Sequence, residues 1–172
     1  IIGDVAYTNL NLLINGGSAP NTNSLMISVD PAFPSNSVSA SMQVFPAAYR
    51  LDVDFDGIKD LLVAPNAKGV SENEKSILFY HNSATNTNSN FIYQSNSFLQ
   101  NEMIEHGLGS IPVLADITGD GLDDLIVANY FAYKPILNKE SRLAYYKNTG
   151  SLTLPVFTFI DADLMNLSQS NL

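Results

Sequence analysis

Two nine-residue windows carry the residues of this chain whose types and spacing could do chemistry. They are Asp52-Val53-Asp54-Phe55-Asp56-Gly57-Ile58-Lys59-Asp60 and Asp116-Ile117-Thr118-Gly119-Asp120-Gly121-Leu122-Asp123-Asp124, and they hold eight of the seventeen acidic residues. Carboxylates at alternate positions of a tight loop can point their oxygens at one centre, and a hard cation such as Ca²⁺ wants about six to eight oxygens. Positions 1, 3 and 5 supply side chains: Asp52, Asp54 and Asp56 in the first loop, Asp116, Thr118 and Asp120 in the second. Gly57 and Gly121 stand at position 6, where a sharp turn needs a residue tolerant of unusual dihedrals. Ile58 and Leu122 at position 7 can offer only a backbone carbonyl, and Asp60 and Asp124 close the loops at position 9.

An EF-hand loop opens the same way but closes with an acid at position 12 on a helix. Here position 12 is Val63 or Val127, inside an apolar run, so that reading fails. Four carboxylates crowded into one turn repel one another without a cation, which makes Ca²⁺ the expected structural cofactor. Mg²⁺ is disfavoured, because a flexible all-protein cage does not give its octahedron. Thr118 brings a neutral oxygen where the first loop has Asp54, so the second site is expected to be the weaker. Asp123, at position 8, is expected to face solvent.

The rest of the composition bounds what such sites serve. The net charge of −9 is concentrated in the two loops, and with no basic stripe the chain is a poor nucleic-acid or anionic-membrane binder. There is no cysteine, hence no disulfide framework or thiolate site. No apolar run approaches the roughly 18 residues of a membrane-spanning helix. The opening Ile1-Ile2-Gly3-Asp4 resembles neither an initiator methionine nor a signal peptide and is read as a start inside a larger protein.

The elements that must position the loops emerge from internal repetition. The segments from Leu51 to Ala64 and from Ala115 to Ala128 match, Asp116 lying 64 residues after Asp52. Downstream, Ile77–Ser83 and Leu143–Thr149 match, and Leu10–Gly16 is a third copy; Asn15, Asn82 and Asn148 line up. A further apolar stretch follows each time, around Leu25–Val29, Phe91–Tyr93 and Val156–Ile160. Ile1-Ile2-Gly3 then occupies the place of Leu62-Val63-Ala64. Each full copy reads as a strand (Met42–Ala48; Ile111–Ala115), the Asp loop, an apolar strand (Leu61–Ala64; Leu125–Ala128), and two more strands. Four short strands in sequence order make one propeller blade, with the wholly apolar strand near its middle. A β-sandwich would not require this order to recur. The expected fold is therefore all-β, a partial propeller of about three blades. Residues 1–35 form a blade lacking its first strand and Asp loop, 36–105 a complete blade with loop 52–60, and 106–172 a complete blade with loop 116–124.

These residues resemble the FG-GAP/VCBS repeat family, found in integrin α-subunit propellers and large bacterial surface proteins. The likeness rests on the two Asp loops with their following Leu61-Leu62-Val63 and Leu125-Ile126-Val127, supported by Tyr145-Tyr146-Lys147-Asn148-Thr149-Gly150. It implies calcium bound by Asp52, Asp54, Asp56, Ile58 and Asp60, and by Asp116, Thr118, Asp120, Leu122 and Asp124, in a loop joining the first two strands of a blade. Thr118 departs from the family's usual Asp or Asn. Phe45-Pro46-Ala47-Ala48-Tyr49, and Asn148-Thr149-Gly150 leading to Pro155-Val156-Phe157, are also similar to propellers exported by the type IX system of gliding bacteria.

The function this implies is a non-catalytic module of a secreted or cell-surface protein that mediates adhesion or binds proteins or glycans. Its polar inserts Gly16–Ser24 and Ser83–Asn90 suit recognition loops. Its expected partners are further blades of the same protein or a partner protein covering the open blade faces. The alternative is a fragment of a propeller enzyme such as a calcium-dependent polysaccharide lyase, which would need a base, an acid and a cationic cluster. His81 and His106 are the only imidazoles; His81 aligns with Ile14 and Lys147 and is read as an edge-strand side chain, and His106 as a loop residue.

Overall fold

The computed structural model describes residues 1–19, 22–43, 45–66, 71, 73–130 and 141–170. The chain divides into two compact units, Ile1–Met103 and Ile104–Leu172. Strands β1 (Leu10–Asn15) and β2 (Met26–Phe33) form a two-stranded sheet in the first unit. Strands β3 (Pro46–Leu51), β4 (Asp60–Pro65), β5 (Leu78–Asn82) and β6 (Phe91–Ser95) form a four-stranded sheet beside it. The second unit repeats that sheet with β7 (Ile111–Ala115), β8 (Asp124–Asn129), β9 (Arg142–Asn148) and β10 (Phe157–Asp161). All strand pairings within these sheets are antiparallel and follow sequence order, as in propeller blades. The helical residues among those described lie in a 3-10 stretch, Leu164–Ser170, broken by a kink at Met165 and Asn166, which are left-handed.

The order of polar and apolar residues explains the order of the strands. β4 and β8 lie inside their sheets and are apolar between their first and last residues, with Leu61, Val63, Leu125 and Val127 buried. Burying each such side chain stabilises the fold by about 2 kcal/mol. β6 is an edge strand and alternates, Phe91 inward and Ile92 and Gln94 outward. Pro46 and Pro112 sit on the edge strands β3 and β7, where a missing N–H leaves no gap in the ladder. In the first unit Leu10 and Phe33 from the two-stranded sheet share one core with Leu61, Val63, Leu78, Tyr80 and Phe91 of the blade. Phe33 and Phe91 meet edge to face at 5.8 Å.

The third copy is visible in the pairing register. Ile2 bridges Asn11, as Val63 pairs with Leu78 and Val127 with Ala144. Asn11, Leu78 and Ala144 each stand four residues before the aligned asparagines, so Ile2 occupies the place of Val63 and Val127.

The first strand of the first blade differs from the expected Met42–Ala48 and runs Pro46–Leu51; Val44 lies outside the described residues. Phe45 is left-handed (φ 44°) and turns the chain just before Pro46. The strand then extends through Tyr49 and Arg50 until Leu51 pairs with Asp60. As an edge strand with an exposed second half it carries no apolar run to mark it.

Candidate metal centres

Each Asp loop joins the first and second strands of a blade, closed at its base by the pairs Leu51–Asp60 and Ala115–Asp124. The closing carboxylates are fully buried. Asp60 Oδ1 accepts the amide of Asn82 at 2.8 Å, and Asp124 Oδ1 accepts that of Asn148 at 2.8 Å. Position 9 therefore ties the loop to the third strand. Asp124 Oδ2 also accepts the Tyr145 hydroxyl at 3.1 Å; burial, then that hydrogen bond, push the Tyr145 pKa up and keep the phenol a donor.

The asparagines that line up in the sequence fasten the far end of the same loop. Asn82 is fully buried, and its Nδ2 donates to the carbonyls of Lys59 (3.1 Å) and Thr85 (3.2 Å). Its Oδ1 accepts the amides of Ala84 (3.3 Å) and Asn90 (2.9 Å). Asn148 repeats this, donating to the carbonyl of Asp123 and accepting from Gly150 and Val156. One side chain thus joins the Asp loop to the turn between the third and fourth strands.

In the first loop Asp52 Oδ2 accepts the Gly57 amide at 3.0 Å, Asp54 Oδ1 the Asp56 amide and Asp56 Oδ1 the Ile58 amide. Oxygens of Asp54 and Asp56 and a ring nitrogen of His81 lie within 4.8 Å of one another. Asp52 Oδ1 is buried and has no hydrogen-bond partner among the described residues. A carboxylate oxygen withdrawn from water with no donor is costly unless a cation meets it. Of the expected ligands, Asp54 and Asp56 converge, while Asp52 and Asp60 lie outside that group; the acid-rich loop fits a calcium ion, to which Asp54 and Asp56 would supply carboxylate oxygens.

In the second loop Asp116 Oδ1 accepts the amides of Gly119 (2.7 Å) and Asp120 (3.1 Å), and Oδ2 accepts that of Gly121 (2.9 Å). Asp120 Oδ2 lies 3.2 Å from Lys147 Nζ. The Leu122 amide first, then Lys147 and the Thr118 side chain, hold the Asp120 carboxyl below the usual carboxylate range. Asp123 is exposed, as expected from its position.

Three features of the loops escape a reading by ligand spacing alone. Position 4 is left-handed in both, Phe55 at φ 64° and Gly119 at φ 72°, in addition to Gly57 and Gly121 at position 6. An added Cβ at Gly119 would meet nothing within 4 Å, so Gly119→Ala tests conformation alone. We expect it to destabilise the second unit by about 1 kcal/mol, read by urea denaturation; an unchanged midpoint would show that the turn relaxes. His81 lies on the inner strand β5, not on an edge, and its Nδ1 is 3.3 Å from Asp60 Oδ1 and 3.5 Å from Asp54 Oδ2. The Ser83–Asn90 insert folds back on the first loop: Asn86 Oδ1 accepts the Lys59 amide at 2.7 Å, and its Nδ2 donates to the Gly57 carbonyl at 3.0 Å. This insert braces the loop, and Arg50 holds it through the Asn86 carbonyl and Ser89 Oγ. In the Gly16–Ser24 insert, Pro20 and Asn21 lie outside the described residues.

His106 has a packing environment. Its Nε2 is 2.6 Å from the Tyr146 hydroxyl, and its ring contacts those of Tyr146 and Phe159.

Comparison with known proteins agrees with this geometry where it reaches. Residues 108–153, which run from just before β7 through the Asp loop, β8 and β9, match the model of the FG-GAP repeat. No curated protein and no solved structure matches the chain.

Proposed function

We propose, from the premise that residues 108–153 are an FG-GAP repeat, that the chain is a calcium-stabilised propeller module of a secreted or cell-surface protein, serving adhesion or binding rather than catalysis. Two observations support the calcium reading: the Asp54 and Asp56 carboxylates converge with a His81 ring nitrogen, and Asp52 Oδ1 of the same loop is buried with no hydrogen-bond partner among the described residues. The cation neutralises the corner between the first two strands, and Asp60 and Asn82 pass that rigidity to the third strand and the turn beyond it. A blade fixed in this way presents its loops as a rigid recognition face.

The binding role has a second support in the blade surfaces. Ile111, Val113 and Leu114 of β7 are 62%, 49% and 57% exposed. A soluble chain covers such a strand with a neighbour of like shape, and further blades of the same fold or a partner protein suit it. Protein or glycan ligands would then be held by the loops, outside the cell. The imidazoles fit this role too, His81 beside the Asp loop and His106 packed on Tyr146.

Calorimetric titration of chelator-treated chain with Ca²⁺ tests the reading. Heat of binding should saturate, and the stability gain should grow by about 1.4 kcal/mol for each tenfold excess of calcium over Kd. Asp52→Asn should abolish the response of the first site. A chain that takes up no calcium and melts identically in chelator and in calcium would end the proposal.

A further inference from the structure

We infer that Lys147 is the resident cation of the second loop, doing from the third strand what a metal ion does in the first. This rests on the calcium reading of the Asp52–Asp60 loop and extends it to how the two loops differ.

The two blades share one register at this point. Tyr80 pairs with Leu61 and Tyr146 with Leu125, so the next residues, His81 and Lys147, stand at equivalent places opposite the closing carboxylates. Both side chains turn toward their loops, but they deliver different groups. His81 brings a ring nitrogen near Asp54 and Asp60, whereas Lys147 brings an ammonium 3.2 Å from Asp120, the position 5 carboxylate. A lysine ammonium is a compact point charge on a flexible stem, able to reach a loop oxygen from the adjacent strand.

The carboxylates of the second loop are satisfied in the way such a charge would allow. Positions 1, 3, 5 and 9 carry four acids in the first loop and three in the second, where Thr118 is neutral. Both oxygens of Asp116 are taken by three backbone amides, while among the described residues Asp52 receives one amide and its Oδ1 has no partner. The position 4 amide, that of Gly119, is one of the three donors to Asp116. With one acid fewer among positions 1, 3, 5 and 9, the loop's fourth acid Asp123 exposed at position 8, the Lys147 ammonium at Asp120 and the position 1 carboxylate saturated, the second loop holds its shape without a metal. A divalent ion entering it would have to displace Lys147 or bind against its charge.

The test is calcium calorimetry on the full chain and its variants, paired with thermal melting in chelator. The wild-type chain should bind one Ca²⁺, lost in Asp52→Asn. Lys147→Met should create or tighten a second site by at least about tenfold, since fewer opposing charges raise calcium affinity. In chelator Lys147→Met should melt several degrees below wild type, with Lys147→Arg staying close to wild type in both measurements. Two calcium sites of comparable affinity in the wild type, unchanged in Lys147→Met, with no change of melting in chelator, would overturn the inference and leave the calcium reading of the first loop standing. If no variant takes up calcium yet Lys147→Met still loses stability in chelator, the calcium reading fails and the role of Lys147 stands.

Discussion

Asp124→Ala is expected to destabilise the Ile104–Leu172 unit by about 3 kcal/mol, because two hydrogen bonds to a fully buried carboxylate disappear and their donors stay buried. The Asn148 amide belongs to the third strand and cannot reach water without opening the sheet. The Tyr145 hydroxyl loses its acceptor at the same time. For a unit of this length, each kcal/mol moves the melting temperature by about 4–8 °C, so a loss exceeding roughly 10 °C should be seen. Asp124→Asn keeps an acceptor oxygen for the Asn148 amide and should cost clearly less. Because the donors are the chain's own groups, most of the loss should appear in chelator as well as in calcium. A loss seen only with calcium present would mean that Asp124 acts as a metal ligand and not as a fastening of the fold.

Asn82→Ala is the counterpart in the first unit, with an expected loss of about 3 kcal/mol. Its side chain makes four hydrogen bonds, to the Lys59 and Thr85 carbonyls and from the Ala84 and Asn90 amides. Each buried polar group left unpaired costs on the order of 1 kcal/mol or more. Truncation also opens a hole at a fully buried site. Asn82→Asp would keep the acceptor and lose both donors, while placing a second carboxylate beside the buried Asp60, and should be no better than alanine. Asn15 provides the internal control. It occupies the aligned place in the first copy but is exposed, bonding among the described residues the Gly17 amide and, at 3.4 Å, the Thr22 carbonyl. Asn15→Ala should therefore shift stability by less than about 0.5 kcal/mol. Equal effects at Asn15 and Asn82, measured by urea denaturation, would show that the repeat's asparagine acts through its local turn and not through the Asp loop.

The chain's own sequence determined the all-β architecture, the four-strand order of the two full blades and the place of the Asp loops between first and second strands. The reason is physical: strands buried on both faces must be apolar throughout, a turn able to hold a cation must space its acids, and both signals are local and recur at Asp52 and Asp116. The register of the incomplete copy was legible too, since Ile2 pairs where Val63 and Val127 pair. What the sequence left open concerns groups brought together from different elements. Nothing in the spacing of Asp52 to Asp60 says that Asn86, 26 residues beyond Asp60, holds the loop by both ends of its amide. Nor does the edge strand β3 announce its start, which a left-handed Phe45 decides. His81 and Lys147 look like unrelated substitutions at one aligned place until the sheet register aims both at the loops. Two loops with nearly the same motif then part in character, because what neutralises a carboxylate is set by the neighbours that folding supplies and not by its position along the chain.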